Sequence, residues 1–324
     1  MTRTIIGVLR GGTSSEYDLS LKTGAAILGA IPENEYDVRD IFIDKFGVWH
    51  VRGIPAAPMR ALQQVDVVIS ALHGGIGEDG TVTRILEQAM TPYVGSRPAA
   101  SSLSLNKVRA REVLQKNGIM MPRAVSFSIS NELNTADMAE AVFSQFGPPY
   151  IVKPISDGAS SGVQFTATIL NLPDVIGDTL DAFGAVLIEE YIRGTEATVG
   201  IVEDFRNEEL YALPPAEIIL PGGHSFIDFA SRQGGDLKHR APSSFGHDEK
   251  DSLAQMARAA HRALGLSHYS RADMILTKRG PYLLEVNALP GLYEGSAMPP
   301  MLEAVGSSVG NLTDHLIRLS KKSR

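Results

Sequence analysis

The chain of 324 residues is 44% hydrophobic, carries a net charge of -7 and contains no cysteine. That length and apolar share suit a globular protein of two or three domains with ample core. The acidic balance, without a Lys/Arg cluster, speaks against a nucleic-acid surface, and the missing cysteines exclude disulfides, thiolate nucleophiles and zinc ribbons.

In chain order, TIIGVLR near the start reads as a first strand, since only five consecutive apolar residues precede Arg10 and no cleavage pattern follows. No run approaches the length of a transmembrane helix, so the expectation is a soluble, cytoplasmic protein. LSLKTGAAILGAI then reads as a helix, YDVRDIFID and DVVISAL as strands, and TVTRILEQAM as a helix. Such alternation argues for a parallel α/β sheet, ending near Tyr93-Val94-Gly95-Ser96. A basic helix, NKVRAREVLQKNG, follows with Gly118 as its stop. PYIVKP is a strand leading into the loop SDGASSG, and VQFTAT leaves it. After a short helical stretch, AVLIEEYIRGTEATVGIVED gives two strands with a turn at Arg193-Gly194. The polar, glycine-rich segment from about Gly222 to Pro242 reads as a long lid-like loop. EKDSLAQMARAAHRALGL is an amphipathic helix, and NLTDHLIRLSKKSR closes the chain as another.

Between those last helices lies SRADMILTKRGPYLLEVN, two apolar runs joined by Lys278-Arg279-Gly280 with glycine where a hairpin needs positive φ. A turn centred on residue 279 sets Asp273 opposite Glu285 and Arg271 opposite Asn287. Directly opposed side chains lie roughly 5 Å apart, and like charges there repel. Two readings remain open on these residues alone. One is an exposed sheet face with solvated charges; the other is a set of oxygen ligands shared by a hard cation such as Mg²⁺.

Gly75-Ile76-Gly77-Glu78-Asp79-Gly80 matches the GxGxxG pattern of dinucleotide sites and lies between a strand and a helix. Glu78 and Asp79 would put negative charge where a pyrophosphate belongs, and no strand-ending acid follows at the ribose-binding distance. A nicotinamide-dependent enzyme is therefore disfavoured, and no GxxxxGK[ST] run is present. SDGASSG, directly after Lys153-Pro154, is by contrast rich in the backbone and hydroxyl donors that wrap phosphates. Lys107 and Lys153 are candidate phosphate charges, although a lone lysine is more often a solvated surface residue.

Taken together and in order, these segments resemble the ATP-grasp superfamily, specifically the D-alanine-D-alanine ligases, over nearly the whole chain. The resemblance implies an α/β ATP-grasp fold. Residues 1–97 would form a Rossmann-like substrate domain, 98–185 a central ATP-grasp subdomain, and 186–324 a C-terminal subdomain with the metal site and lid. It implies ATP and two Mg²⁺ (or Mn²⁺), the joining of two D-alanines through an acylphosphate for peptidoglycan precursors, and a homodimer without nucleic-acid or membrane partners. An ATP-grasp ligase joining other small amino or hydroxy acids, such as D-alanine with D-lactate or D-serine, is the alternative. LRGGTSSEYDLSLKTG looks like the family's opening substrate loop, with Glu16 on the first amino group, and ALHGGIGEDGT like its second signature, with His73 near the substrate carboxylate. Lys107, Lys153 and Ser160 match the nucleotide residues. Glu189, Glu190, Tyr191, Ile192 and Glu196 match the adenosine clamp, with Glu196 on the ribose. Arg271 matches the oxyanion arginine; Asp273, Glu285 and Asn287 match the ligands of two magnesium ions; Gly291 and Ser296 match the receivers of the second carboxylate.

Two departures from the family pattern stand out. Gly158 is followed by Ala159 and then Ser160, where two serines are usual. The lid, usually close to YEAKY, reads FASRQ, with Arg232 in the place of a lysine and Gln233 in that of a tyrosine. The serine–glutamate–tyrosine network over the first substrate is thus missing two of three members. His239 reads as an exposed loop histidine.

Overall fold

The structure, a computed structural model, describes residues 3–155, 162–219 and 238–322. In the first of three sheets, β1 (Thr4–Gly11), β2 (Tyr36–Ile43), β3 (Trp49–Val51), β4 (Ile54–Ala56), β5 (Val67–Ser70) and β6 (Tyr93–Val94) lie in the order β4-β3-β2-β1-β5-β6. The neighbours β2-β1-β5-β6 pair in parallel, as the alternation of strand and helix required. The antiparallel hairpin β3-β4 extends the edge, turning through Arg52 (φ 53°) and Gly53 (φ 76°). Positive φ at both central residues gives a turn whose twist matches its strands.

The central strand β1 is apolar on both faces because both are covered. Ile6 and Val8 enter one cluster, closed by Leu312, Leu316 and Ile317 of the C-terminal helix Val309–Lys322. Leu9 enters a second cluster with Ile41, Val68 and Leu86. The end of the chain thus packs against its beginning, and Tyr36 Oη donates to Asp314 Oδ1 at 2.6 Å across that contact.

The second sheet holds β7 (Ala124–Ser128), β8 (Tyr150–Pro154), β9 (Gln164–Thr166) and β10 (Ala185–Glu190) in the order β7-β10-β8-β9. Helices Thr135–Phe143 and Leu172–Phe183 cover one face through Met138, Val142, Ile176 and Leu180. The third sheet runs β14-β13-β11-β15-β16, formed by β11 (Thr195–Phe205), β12 (Glu208–Ala212, paired with β11), β13 (Ala216–Ile219), β14 (Lys238–Arg240), β15 (Tyr269–Thr277) and β16 (Gly280–Asn287). Its apolar face, with Ala197, Val199, Ala272 and Met274, packs under the His247–Ala263 helix and under Ala110 and Leu114 of the Lys107–Lys116 helix.

Two expectations change here. The strands on either side of Arg193-Gly194 belong to different sheets: β10 pairs with β7 and β8, and β11 with β12, β13 and β15. The chain crosses between sheets tight against β15, where a Cβ on Gly194 would stand 2.3 Å from the Leu276 carbonyl oxygen. His239 is half-buried on β14, opposite Ile218, and so is not a loop residue. Most of the expected lid, with Arg232 and Gln233, and the loop carrying Ala159 and Ser160 fall outside the described residues.

Candidate active site

Alternation along a strand aims every second side chain at the same face. On β11 the residues facing away from the core are Glu196, Thr198 and Gly200, and on β15 they are Arg271, Asp273 and Ile275. These pair as Glu196 with Ile275, Thr198 with Asp273 and Gly200 with Arg271. On β16, Glu285 stands opposite Asp273 and Asn287 opposite Arg271, the register expected from the sequence.

The route to that register differs from the simple turn. Thr277 pairs with Gly280 around a two-residue turn, which alone would set Asp273 against Leu284; a bulge between Asp273 and Met274 shifts the register by one. A one-residue shift exchanges the faces of a strand. Here it lets Leu283 and Val286, three positions apart, enter the same core cluster while Glu285 joins the polar face. Gly280, at φ 107°, takes the backbone conformation the turn needs.

Asp273 is the hub of this face. It is 6% exposed and accepts from Thr198 Oγ1 at 2.7 Å, from Arg271 Nε at 2.9 Å and Nη2 at 2.7 Å, and from Asn287 Nδ2 at 3.0 Å. Burial works against the Arg271 guanidinium, but Asp273, and after it Glu285, outweigh burial and raise its pKa, so it stays charged. Among the described residues no group of three or more His, Cys, Asp or Glu side chains could hold a metal. The set here is two carboxylates and one amide. With its Nδ2 turned to Asp273, Asn287 presents its carbonyl oxygen elsewhere, a hard donor of the kind Mg²⁺ accepts. Two carboxylates and an amide oxygen on one sheet face are hard donors, and the set fits a divalent metal.

A second charged group lies on the second sheet and the Lys107–Lys116 helix. Glu189 on β10 is 2% exposed; Lys153 Nζ on β8 is 2.5 Å from its Oε2, and Arg111 Nη2 donates to its Oε1. Burial pushes the Glu189 carboxyl up, but Lys153 and Arg111 outweigh it and hold its pKa below the ordinary value. Glu190 turns the other way: its carboxylate accepts from Arg123 N and Nε, both at 2.8 Å. Its side chain thus braces the edge of the sheet. The Tyr191 ring meets Phe165 edge-on at 5.3 Å, next to half-buried Ile192. Lys107 opens its helix, its N–H donating to the Ile155 carbonyl at 3.0 Å, so the helix start is tied to the strand that carries Lys153.

Glu16 and His73 lie beyond the C-terminal ends of β1 and β5, adjacent parallel strands where the strand order reverses and ligands bind in open α/β sheets. Both are buried, at 8% and 6% exposure. Gly74, at φ 63°, lets Glu16 lie close: a Cβ there would stand 2.7 Å from Glu16 Oε1. Ser14 Oγ donates to the His73 carbonyl at 2.5 Å, and His73 Nε2 shares a 2.7 Å hydrogen bond with Thr23 Oγ1. In the GxGxxG stretch, Glu78 Oε1 accepts from Gly74 N at 3.1 Å and Asp79 Oδ1 from Thr81 N at 2.7 Å. The acids hold the loop donors that a pyrophosphate would need. Ser296 Oγ donates to the carbonyls of Gly291 at 2.8 Å and Tyr293 at 2.6 Å, bringing the expected Gly291–Ser296 pair together.

Sequence reasoning missed Thr198, Thr23 and Arg111. Two signals were available: Thr198 is two residues from Glu196, hence on the same strand face, and Arg111 is four from Lys107, hence on the same helix face.

Comparison with known proteins shows the family. Residues 113–318 match the family model described as the D-ala D-ala ligase C-terminus, and residues 50–96 match the D-ala D-ala ligase N-terminus. The chain is 32% identical over 320 residues to a D-alanine–D-alanine ligase of Desulforudis audaxviator, covering 98% of each. It is 33% identical over 317 residues to that of Geobacter sulfurreducens, covering 97% of this chain and 93% of the relative. Among solved structures it is similar to the VanG D-Ala:D-Ser ligase of Enterococcus faecalis, at TM-score 0.85 and 28% identity over 98% of this chain and 100% of that one. It is also similar to the Bacillus anthracis D-alanine–D-alanine ligase complexed with ATP, at TM-score 0.81 and 27% identity over 99% and 100%. Coverage and identity of this order leave one assignment: the chain belongs to the D-alanine–D-alanine ligase family.

Proposed function

We propose that this protein is an ATP-dependent ligase that joins two D-alanines for peptidoglycan precursors. The observation that carries the reading is the polar face of the third sheet, where Arg271, Asp273, Glu285 and Asn287 converge. The first D-alanine, its ammonium on Glu16, presents its carboxylate to the γ-phosphate of ATP. A carboxylate oxygen bonds to phosphorus as the bond to ADP breaks, giving an acylphosphate. The amine of the second D-alanine attacks the acyl carbon, inorganic phosphate leaves, and the nitrogen gives up a proton. Arg271, with a backbone N–H near Gly291, stabilises the oxyanion of that second step. Asp273, Glu285 and Asn287 would hold two Mg²⁺, which neutralise charge building on the phosphate oxygens. Lys107, Lys153 and Ser160 belong on the phosphates, and Glu189, Tyr191, Ile192 and Glu196 around the adenosine. His73, Gly291 and Ser296 receive substrate carboxylates, and Arg232 replaces the usual lysine for the second one. The division into three parts belongs to the same reading, with the first boundary after β6 and the second moved past β10, which belongs to the second sheet.

Transfer to D-serine or D-lactate in the second position is the other reading, favoured by Gln233 in the lid and by the similarity to a D-Ala:D-Ser ligase. One experiment separates them. ATP-dependent phosphate release is measured against D-alanine alone and D-alanine paired with D-serine, D-lactate or L-alanine, with products identified by mass. Release with D-alanine alone, yielding the dipeptide, is expected; release only with a mixed pair favours the second reading, and none at all sinks both.

A further inference from the structure

Arg111 belongs to none of the matched motifs, yet it occupies the centre of the most deeply buried ionic group among the described residues. It is 7% exposed, Glu189 is 2% and Lys153 is 6%. Its two terminal nitrogens diverge: Nη2 donates to Glu189 and Nη1 donates to the Pro122 carbonyl at 2.5 Å. The second bond ties the guanidinium to the segment leading into β7, the first ties it to Glu189 on β10, and through Glu189 it is linked to Lys153 on β8.

Without Arg111, Lys153 and Glu189 would be a neutral pair, with the ammonium's charge answered by the carboxylate beside it. With Arg111, the same carboxylate answers two cations, and one positive charge is left over. Lys153 precedes Ser156, the first residue of the Gly/Ser segment, by three positions, and Lys107 precedes Arg111 by one helical turn on the same helix face. The leftover charge therefore lies where the nucleotide is read to bind.

We propose that Arg111 is a positioning residue for the nucleotide: it shares the Glu189 carboxylate with Lys153, holds it in place, and so leaves the group a net positive charge to act on ATP. This rests on the ATP-dependent reading above. A guanidinium suits the task because its planar fork reaches two acceptors in different directions while keeping its charge when buried.

The test uses the full-length protein and measures ATP affinity in the presence of Mg²⁺, together with the Michaelis constant for ATP and kcat. Loss of one buried charge near a polyphosphate is expected to raise both the dissociation constant and the Michaelis constant for ATP about tenfold or more in Arg111→Met, with kcat changed little. Arg111→Lys, which keeps the charge and loses one arm of the fork, is expected to bind ATP more tightly than Arg111→Met and more weakly than wild type. Breaking a buried pair is strongly destabilising, so Arg111→Met is first checked for folding by circular dichroism. If it does not fold, Arg111→Lys alone decides, and loss of ATP affinity beyond tenfold in that variant overturns the proposal. A folded Arg111→Met with wild-type ATP affinity overturns it as well. If wild type itself binds no ATP, the fault lies with the ATP-dependent reading and not with Arg111, so the two failures are distinguishable.

Discussion

The two charged groups of the candidate site each bring together three ionisable side chains, in opposite proportions. On the second sheet, two cations, Arg111 and Lys153, share one carboxylate, Glu189. On the third sheet, one cation, Arg271, faces two carboxylates, Asp273 and Glu285. Of the side chains named here, the first set has more cations than carboxylates and the second more carboxylates than cations. A nucleotide triphosphate with its metal needs both, because its phosphates seek cations and its metal seeks carboxylates. On the proposed reading, the first set faces the phosphates and the second the metal.

The largest effect is expected on the third sheet. Glu285→Gln removes one anionic ligand of the proposed metal site and is expected to abolish phosphate release, with ATP binding weakened and still measurable; wild-type turnover at ordinary magnesium would refute the two-metal assignment. Arg271→Met removes the cation from the same group and is expected to lower turnover about 10²- to 10³-fold, the scale of a lost oxyanion donor, with a smaller effect on ATP affinity. A variant that folds and turns over normally would make Arg271 a partner of Asp273 only.

Smaller effects are expected at the substrates and at the histidines around Glu203. Ala159→Ser with Gln233→Tyr restores the hydroxyl groups missing from the lid network and is expected to lower the Michaelis constant for the first D-alanine several-fold. The gain should exceed the sum of the single changes, because the groups act through one network; additive changes would mean that other contacts close the lid.

The smallest effect concerns the histidines around Glu203. His268 Nδ1 accepts from Gly95 N at 2.9 Å, its own N–H donates to Glu203 Oε2 at 2.6 Å, and His261 and His315 reach the same glutamate's carboxylate and backbone carbonyl. Burial lowers the His268 pKa, helped by His315 and His261 and opposed by Glu203. The unfolded chain therefore takes up the proton first, so this histidine costs stability as pH falls below about 6.5. Melting temperature is expected to drop by a few degrees between pH 7 and pH 5.5. His268→Asn, whose side chain does not titrate and which tolerates the φ of 69° found there, is expected to reduce that slope. An unchanged slope would clear His268 of the effect.

The negative group was legible in the sequence because it is local. Asp273, Glu285 and Asn287 lie on one hairpin, where alternation and one turn fix who faces whom. Even there the register came right through a bulge that the sequence shows only as Leu283 and Val286 both being apolar three positions apart. The positive group was only partly legible. Lys153 and Glu189 were found singly, as a lysine before a glycine-rich loop and an acid ending a strand. Their meeting with Arg111 depends on how a helix from one segment seats against two strands from others, 78 residues apart at the widest bond. Chain order could not show that β10 and β11 part into different sheets at Gly194, since a short turn between strands usually signals a hairpin.

The central claim, that the two groups hold opposite ends of one metal–nucleotide complex, is tested most directly by calorimetric titration of ATP with and without Mg²⁺. Wild type, Arg111→Met and Glu285→Gln are to be compared. Magnesium is expected to tighten ATP binding to wild type, Glu285→Gln to lose most of that gain, and Arg111→Met to bind more weakly under both conditions while keeping the gain. If Glu285→Gln kept the full magnesium effect, or if Arg111→Met lost it, the division of roles between the two sheets would be contradicted.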